Sequence, residues 1–323
     1  MFKLIKRPST IIVGIFLLAV LSLAGSCRSP QGVTTVRIGT MGDAVDYSPY
    51  MIAKSKGWFE EAFRKYGVQT VESTTFQQLP ALNEAIGTGR QDIIFEAEPP
   101  AIIGKAAGND LRIVGISCSL NQEILVRSDS TIQNVADLRG KKIAVPAGTS
   151  SHYNLLAILG AAGLSDKDVQ IIDMAPPDTR SAFETGQVDG WAIWPPWVEQ
   201  EIVAGKGGVL PGTNARIHSI MSIRGKFQEE HPEIAQAAFD VLEKAKAWIR
   251  QNPKEAQDIV AKTLKLDPKV IELAWPKHDW SAELNDEIAN DIQAKADFLK
   301  NRGLIRSSIN IKTDLIFPLK NSQ

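Results

Sequence analysis

The chain has 323 residues, of which 44% are hydrophobic and 23% are charged, and its formal net charge is −1. This length suffices for two domains of ordinary size, and the composition is that of a globular protein. Because the charges nearly balance, no basic field indicates a nucleic-acid partner.

The first 27 residues have the layout of an export signal. The basic segment MFKLIKR precedes an apolar run from Ile11 to Leu23, and small residues lead to Cys27. The apolar run is shorter than the roughly 20 residues that span a bilayer comfortably, although a transmembrane anchor is one alternative. The segment resembles a bacterial lipoprotein signal, in which the cysteine carries the lipid; simple cleavage after Ser26 is the other alternative. Both of these place the mature protein in the periplasm or at the outer face of the cytoplasmic membrane.

From Thr35 onward, short apolar runs alternate with segments of helical period. The first series predicts strands and helices in the order VRIGTM, SPYMIAKSKGWFEEAFRKYG, VQTVEST, PALNEAIGTG, DIIFEA, PPAIIGKAAG and LRIVGISC. The second predicts KKIAVP, TSSHYNLLAILGAAG, VQIIDM, DTRSAFETG, DGWAIW and PPWVEQEIVAG, and after about Arg224 only helices follow. Such alternation predicts an α/β fold with parallel sheets and helices on both faces.

Two α/β series in one chain predict two lobes with a cleft between them. In open α/β sheets, ligands bind beyond the carboxyl ends of the strands. The cleft is therefore expected at the turns that follow the predicted strands, namely TMGDAVDYSP, STTFQQLP, FEAEPP, VPAGTSSHY, DMAPPDT and IWPPW.

Several of these turns carry a family resemblance. The stretches DLRGKKIAVPAGTSSHYNLLAILGAAGL, PPDTRSAFETGQVDGWAIWPPW and EPPAIIGKAAG resemble solute-binding proteins of ABC importers for sulfonates, taurine and nitrate. The resemblance implies a periplasmic-binding-protein fold (type II-like), with hinge closure around a small solute, and permease and ATPase subunits as partners. It also implies a return of the chain to the first lobe near 217–224. The lobes are then residues 33–121 with 222–323, and residues 122–221.

Acidic residues mark two of the predicted turns. Glu96 and Glu98 flank the end of one strand, whereas Asp43 and Asp46 follow another. No lysine or arginine lies in these turns, so four carboxylates would repel an anion. The alternative for Glu98 is that it only complements the dipole of its helix.

The segment DGWAIWPPW contributes a candidate aromatic residue to the predicted cleft. Trp191 and Trp194 point to opposite faces of one strand, and Trp194 ends that strand, so Trp194 is the candidate for the cleft and Trp191 for the core. An aromatic face beside carboxylates suits a planar cation such as guanidinium. Pro195 stands where many relatives have aspartate, and Glu96 and Glu98 depart from the relatives' Gly-x-Ser/Thr-Pro-Pro, which points to a changed ligand.

The segment GTSSHY favours a ligand of the opposite charge, an anion. Ser150 and Ser151 begin a predicted helix, whose backbone amides attract anions such as sulfonate or nitrate. Plain N-capping is the alternative for these hydroxyls. His152 is either a cleft residue or a structural hydrogen-bonding group. Phe76 and Gln77 lie in a turn that contacts solute in the resembling family, and surface capping is their alternative.

These patterns predict an extracytoplasmic solute-binding protein that captures a small nitrogen-containing solute, preferably a planar cation such as guanidinium. The alternative ligand is an alkanesulfonate, taurine or nitrate. A pyrimidine-precursor enzyme or binder is a remote alternative, since the sequence pairs no nucleophile with a base. Histidine and cysteine do not recur at metal-ligand spacing, so neither a metal nor a cofactor is expected.

Overall fold

The computed structural model of the protein describes residues 32–213 and 215–320. The predicted export signal, residues 1–27, lies outside these ranges. The strands are β1 Thr35–Met41, β2 Thr70–Phe76, β3 Ile93–Ala97, β4 Leu111–Arg127, β5 Lys142–Val145, β6 Gln170–Asp173, β7 Gly190–Ile193, β8 Gly207–Val209, β9 Ala215–Arg224 and β10 His278–Asp279.

Helices occupy most of the remaining chain and all the long segments after β9. They are α1 Ser48–Ser55, α2 Trp58–Arg64, α3 Leu79–Gly87, α4 Glu98–Ala106, α5 Ser150–Ala161, α6 Pro176–Glu184, α7 Trp197–Val203, α8 Gly225–Glu230, α9 Pro232–Gln251, α10 Pro253–Leu264, α11 Pro268–Ala274 and α12 Asp286–Asn301. No helix in residues 32–213 or 215–320 has both the length and the apolar character needed to cross a bilayer.

The described strands form sheets in the order β2-β1-β3-β9-β4-β7-β5-β6, and β8 and β10 also pair with β4. The outer pairs β1/β2, β1/β3, β5/β6 and β5/β7 are parallel, as predicted. The central pairs β3/β9, β4/β9 and β4/β7 are antiparallel, so the prediction of wholly parallel sheets is wrong there. The reason is that β4 runs for 17 residues, well beyond the predicted LRIVGISC, and the chain returns beside it as β9.

Strand β4 connects the two halves of the fold. It pairs with β9 up to Gln122, whereas from Glu123 onward it pairs with β7. The predicted lobe boundary after residue 121 lies at this change of partner. Strand β9 pairs with β3 along half its length. The assignment of residues 33–121 with 222–323 to one lobe, and of 122–221 to the other, stays a prediction.

Strand alternation sends the apolar side chains of β3 to two separate cores. Ile93 and Phe95 pack into one core, and Ile94 between them packs into another. Helix α9 covers the first core and packs against α1 and α2, while α12 covers the second and packs against α4. Helix α9 approaches β4 so closely that a Cβ on Gly115 would lie 2.8 Å from Leu242 Cδ2. The C-terminal helices thus complete both faces of the β4–β9 region.

Candidate functional site

A cavity of about 390 Å³ lies at the carboxyl ends of the strands. It is formed by the end of β1 and by the turns that follow β2, β5 and β6, three of which continue into helices. Its lining residues are Met41, Gln77, Gln78, Leu79, Pro80, Pro146, Ala147, Thr149, Asp173, Met174, Ala175 and Asp178. The cavity therefore lies where the rule for open α/β sheets predicts a ligand site.

Three helices begin at the wall of this cavity. Gln78, Thr149 and Ala175 directly precede α3, α5 and α6, and all three residues line the cavity. The first N–H groups of an α-helix have no intrahelical acceptor, and the helix dipole places partial positive charge at the same end. Three such ends meet at one cavity, and their dipoles favour an anion. Proline at the first two positions of α6 and at the second of α3 lacks an N–H, and the lining also includes the carboxylates of Asp173 and Asp178.

The turn before α5 is held rigid by its own side chains. The Thr149 hydroxyl donates to the carbonyl oxygen of Pro146 at 2.7 Å and accepts from the His152 N–H at 3.4 Å. His152 Nδ1 accepts from the N–H of Gly148 at 3.2 Å, and Gly148 has a φ of +75°, a conformation that favours glycine. Burial lowers the pKa of His152 despite the nearby carboxylates of Asp173 and Asp166, so its ring is neutral at pH 7. Through its hydrogen bond with Gly148, His152 stabilises the turn before α5.

The predicted site residues Gln77, Phe76 and Ser150 differ in burial and in whether they line the cavity. Gln77 is exposed and lines the cavity, whereas Phe76 is half-buried at the end of β2. Phe76 Cε2 lies 3.2 Å from the place that a Cβ of Gly39 would take, so its ring covers the end of β1. Ser150, which follows the lining residue Thr149, is buried and does not line the cavity itself, and its hydroxyl accepts a hydrogen bond from Gln122 Nε2 at 2.9 Å.

Glu98 belongs to a buried network of charged groups. Its Oε1 accepts from Lys295 Nζ, and its Oε2 accepts from the N–H of His218 at 2.9 Å. Lys295 also donates to Asp291 at 2.7 Å, and His218 Nε2 lies 2.9 Å from the same carboxylate. Burial alone lowers the pKa of Lys295, but the attraction of Glu98 and Asp291 outweighs it and raises that pKa. The charge of Glu98 is therefore matched by an ammonium within the protein.

The same network has the donor atoms of a metal site. Glu98, His218 and Asp291 offer ligand atoms within 4.8 Å of one another. Lys295 donates to both of these carboxylates. Its ammonium thus takes the electrostatic role that a bound cation would have, and the three residues fit a structural ion-pair cluster better than a metal centre.

Asp46 and Glu96 are buried without full hydrogen bonding. Within the described residues, Asp46 Oδ1 and both carboxylate oxygens of Glu96 have no hydrogen-bond partner. Burial raises the pKa of Asp46 to about 6 and that of Glu96 to about 8. Glu96 is therefore protonated and neutral at pH 7.

These positions correct the argument of a cleft hostile to anions for two of its four carboxylates, Glu96 and Glu98. Glu98 is paired, Glu96 is neutral at pH 7, and neither lines the cavity. The sequence argument missed Lys295, which lies 197 residues from Glu98 in the C-terminal helix α12. No local pattern around Glu98 indicated this partner.

The tryptophans of DGWAIWPPW lie in different surroundings. Trp191 is fully buried, with ring centroids 6.1 Å from Phe183 and 5.8 Å from Trp197, as expected of a core residue. Trp194 is 6% exposed, and its Cζ2 lies 3.6 Å from the place that a Cβ of Gly42 would take. Trp194 thus packs against the turn after β1.

Sequence reasoning also missed several cavity residues. Asp173 and Met174 follow β6 and line the cavity, and Asp178, interpreted from the sequence as a helix cap, lines it as well. Asp173 Oδ1 accepts from the N–H of Ala147 at 2.8 Å, which ties the turns after β5 and β6 together. The turn DMAPPDT follows a predicted strand, and that position is the sequence signal from which Asp173, Met174 and Asp178 could be proposed as site residues.

Several known proteins are similar to this chain in sequence or in structure. Residues 29–265 match the NMT1-like family. A putative aliphatic sulfonates-binding protein of Bacillus subtilis (strain 168) is 35% identical over 316 residues, covering 95% of this chain and 93% of the relative. A protein of the same name from Escherichia coli (strain K12) is 30% identical over 275 residues, covering 83% of this chain and 85% of the relative. The alkanesulfonate-binding protein SsuA from Xanthomonas axonopodis pv. citri, solved bound to MOPS, aligns with a TM-score of 0.77 at 26% identity, covering 89% of this chain and 99% of that one.

Proposed function

The chain belongs to the NMT1-like family, and on that premise we propose that it captures a small sulfonate for an ABC importer by closing two lobes around it. It is a solute-binding protein of the ABC-importer type with the periplasmic-binding-protein fold. The observation that carries the choice of an anion is the meeting of three helix N-termini, those of α3, α5 and α6, at one cavity. A sulfonate oxygen accepts hydrogen bonds from the N–H groups at a helix start and is stabilised by the helix dipole, and the prolines at the starts of α3 and α6 leave α5 as the main donor of the three.

The names of the relatives also favour the anion over guanidinium. Both are named for aliphatic sulfonates, and the aligned structure is an alkanesulfonate-binding protein. The sequence-based preference for a planar cation rested on unbalanced carboxylates, and Lys295 balances one of them. The alternative of a sulfonate, taurine or nitrate is therefore the better supported proposal.

Two carboxylates at the cavity refine the class of ligand. Asp173 and Asp178 line the same cavity as the helix N-termini and are exposed. A purely anionic ligand gains nothing from them, whereas a ligand that also carries an ammonium group gains an ion pair. We therefore favour an aminosulfonate of the size of taurine.

Isothermal titration calorimetry of residues 28–323 tests this order of ligands. We expect taurine and ethanesulfonate to bind at least tenfold more tightly than guanidinium, because the helix N-termini stabilise only the anions. Nitrate is expected between them, since it is anionic but lacks the apolar part of a sulfonate. Binding of guanidinium with no heat from either sulfonate would overturn the proposal.

The Asp178→Asn variant tests the ammonium contact. We expect it to weaken taurine two- to fivefold, about the strength of an exposed ion pair, and to leave ethanesulfonate unchanged or slightly tighter. Asp286→Asn is the matched control, since Asp286 also lies in the first turn of a helix but does not line the cavity. Equal effects on both ligands, measured by the same calorimetry, would contradict an ammonium contact.

One observation keeps the planar cation as a second candidate. The carboxylate of Glu96 and Oδ1 of Asp46 are buried without partners in the described residues, and a bound cation would satisfy them. Because the pKa of Glu96 is about 8, such a ligand would displace a proton at pH 7. Guanidinium binding at Glu96 would then give a heat that depends on the ionisation enthalpy of the buffer, and a buffer-independent heat would exclude this site.

The remaining parts of the proposal concern its cellular setting. We propose that the protein acts outside the cytoplasmic membrane, anchored by a lipid on Cys27, and that its closed form docks on permease and ATPase subunits. Binding, and not catalysis, is its proposed role, in keeping with the binding proteins among its relatives. The intact mass of the mature chain distinguishes a lipidated Cys27 from cleavage after Ser26.

A further inference from the structure

Gln122 occupies the point at which β4 changes its partners. Its backbone is the last of β4 to pair with β9, opposite Ala215, and the next residue, Glu123, pairs with Ile193 of β7. The Gln122 side chain is 2% exposed. A buried amide is stable only when both of its ends are hydrogen-bonded.

Both ends of that amide bond the first turn of α5. Gln122 Nε2 donates to Ser150 Oγ at 2.9 Å, and Gln122 Oε1 accepts from Ser151 Oγ at 3.2 Å. A carboxamide has one donor end and one acceptor end, so the two serines have opposite roles. Ser151 gives its hydroxyl hydrogen to Gln122, whereas Ser150 receives one and keeps its own hydrogen.

Ser150 keeps a hydroxyl hydrogen and is adjacent in the chain to a cavity residue. Ser150 is the first residue of α5 and directly follows Thr149, which lines the cavity. Within residues 32–213 and 215–320, the Ser150 hydroxyl donates to no acceptor, although the residue is only 5% exposed. A buried hydroxyl that accepts one bond has a donor to spare for a ligand.

We infer that Gln122 is a positioning residue that orients the Ser150 hydroxyl as a donor to the bound anion, while Ser151 has a structural role. The inference rests on the proposed sulfonate function. It also assigns different roles to Ser150 and Ser151, two adjacent serines that the sequence alone does not distinguish. Gln122 lies where β4 changes its pairing partner from β9 to β7. Its two hydrogen bonds therefore hold the first turn of α5 against this point of β4.

The amide is suited to this task in a way that similar side chains are not. Glutamate at position 122 would accept from both serines and would turn the Ser150 hydrogen away from the ligand. Methionine would fill a similar volume but would orient neither hydroxyl. The two substitutions therefore separate packing from hydrogen-bond direction.

A double-mutant cycle measured by calorimetry with ethanesulfonate tests the inference. We expect Ser150→Ala to weaken binding about tenfold and Ser151→Ala, the matched control, less than twofold. Gln122→Met is expected to weaken binding three- to tenfold on its own and to have no further effect in the Ser150→Ala background. Gln122→Glu, which retains bonds to both serines, is expected to bind at least as weakly as Ser150→Ala.

Each other result has a distinct meaning. If the losses from Gln122→Met and Ser150→Ala multiply, or if Ser151→Ala weakens binding as much as Ser150→Ala, the inference is wrong. A binding stoichiometry near one, with circular dichroism of each variant, shows that weaker binding does not reflect unfolded protein. If the unsubstituted protein binds neither ethanesulfonate nor taurine, the proposed function fails and this inference fails with it.

Discussion

Replacing Lys295 with methionine is expected to lower the free energy of unfolding by about 3–5 kcal/mol. The substitution leaves the fully buried carboxylate of Glu98 with the N–H of His218 as its remaining partner. Asp291 also loses the ammonium. Removing one member of a buried ion pair is costly because the other charge stays desolvated. Denaturant unfolding at pH 7 measures the difference.

Two further variants separate the charge from the packing of Lys295. Adding Glu98→Gln to Lys295→Met should recover part of the lost stability, because the buried charge is then removed. Lys226→Met is the matched control: Lys226 pairs with Glu230 on an exposed helix face at 3.7 Å, and its loss should cost less than about 1 kcal/mol. A cost below 1 kcal/mol for Lys295→Met would show that the buried pair is not needed for the fold.

The Glu96→Gln variant is expected to be more stable than the unsubstituted protein at alkaline pH, by about 4–5 kcal/mol at pH 9. Burial raises the pKa of Glu96 from 4.5 to about 8, so between these values the folded state holds a proton that the unfolded state releases. Stability conferred by that proton is fully present below pH 4.5 and is lost as the pH rises through 8. Glutamine cannot ionise, so the variant lacks this loss.

Urea unfolding at several pH values between 4.5 and 9 measures the effect. The two proteins should have nearly equal stability at pH 4.5, diverge steadily up to about pH 8, and keep a nearly constant difference above that pH. The raised pKa of Asp46 contributes equally to both, so it cancels in the difference. Glu72→Gln is the control, since the Glu72 side chain is 58% exposed. Parallel stability curves for Glu96→Gln and the unsubstituted protein would contradict a buried, protonated Glu96.

The two predictions also concern the choice of ligand. Lys295 and the protonated state of Glu96 together remove two negative charges from the interior beside β3 and β9. With these charges absent, the proposed anion at the helix N-termini meets less opposition, although Asp173 and Asp178 remain at the cavity. Ionised, unpaired carboxylates at both positions would instead favour the planar cation.

Much of the fold was accessible from local sequence patterns. The period of apolar residues, with proline at helix starts and glycine after helix ends, predicted most strands and helices of the α/β region. The rule that ligands bind beyond strand ends predicted the turns that line the cavity, including those of Gln77 and Thr149. These features depend on residues near each other in the chain, so a single sequence contains them.

Contacts between distant segments were decided only by the tertiary structure. Strand direction in β4 and β9 depends on where the chain returns, and periodicity is the same for parallel and antiparallel strands. The partner of Glu98 comes from α12, and the amide of Gln122 reaches serines 28 and 29 residues away. The charge state of Glu96 follows from burial, which composition does not reveal. Sequence alone therefore determined most elements, the family resemblance and the location of the candidate site, whereas the charge states and hydrogen-bond directions of Glu96, Glu98 and Gln122 depend on which distant side chains the folded chain brings together.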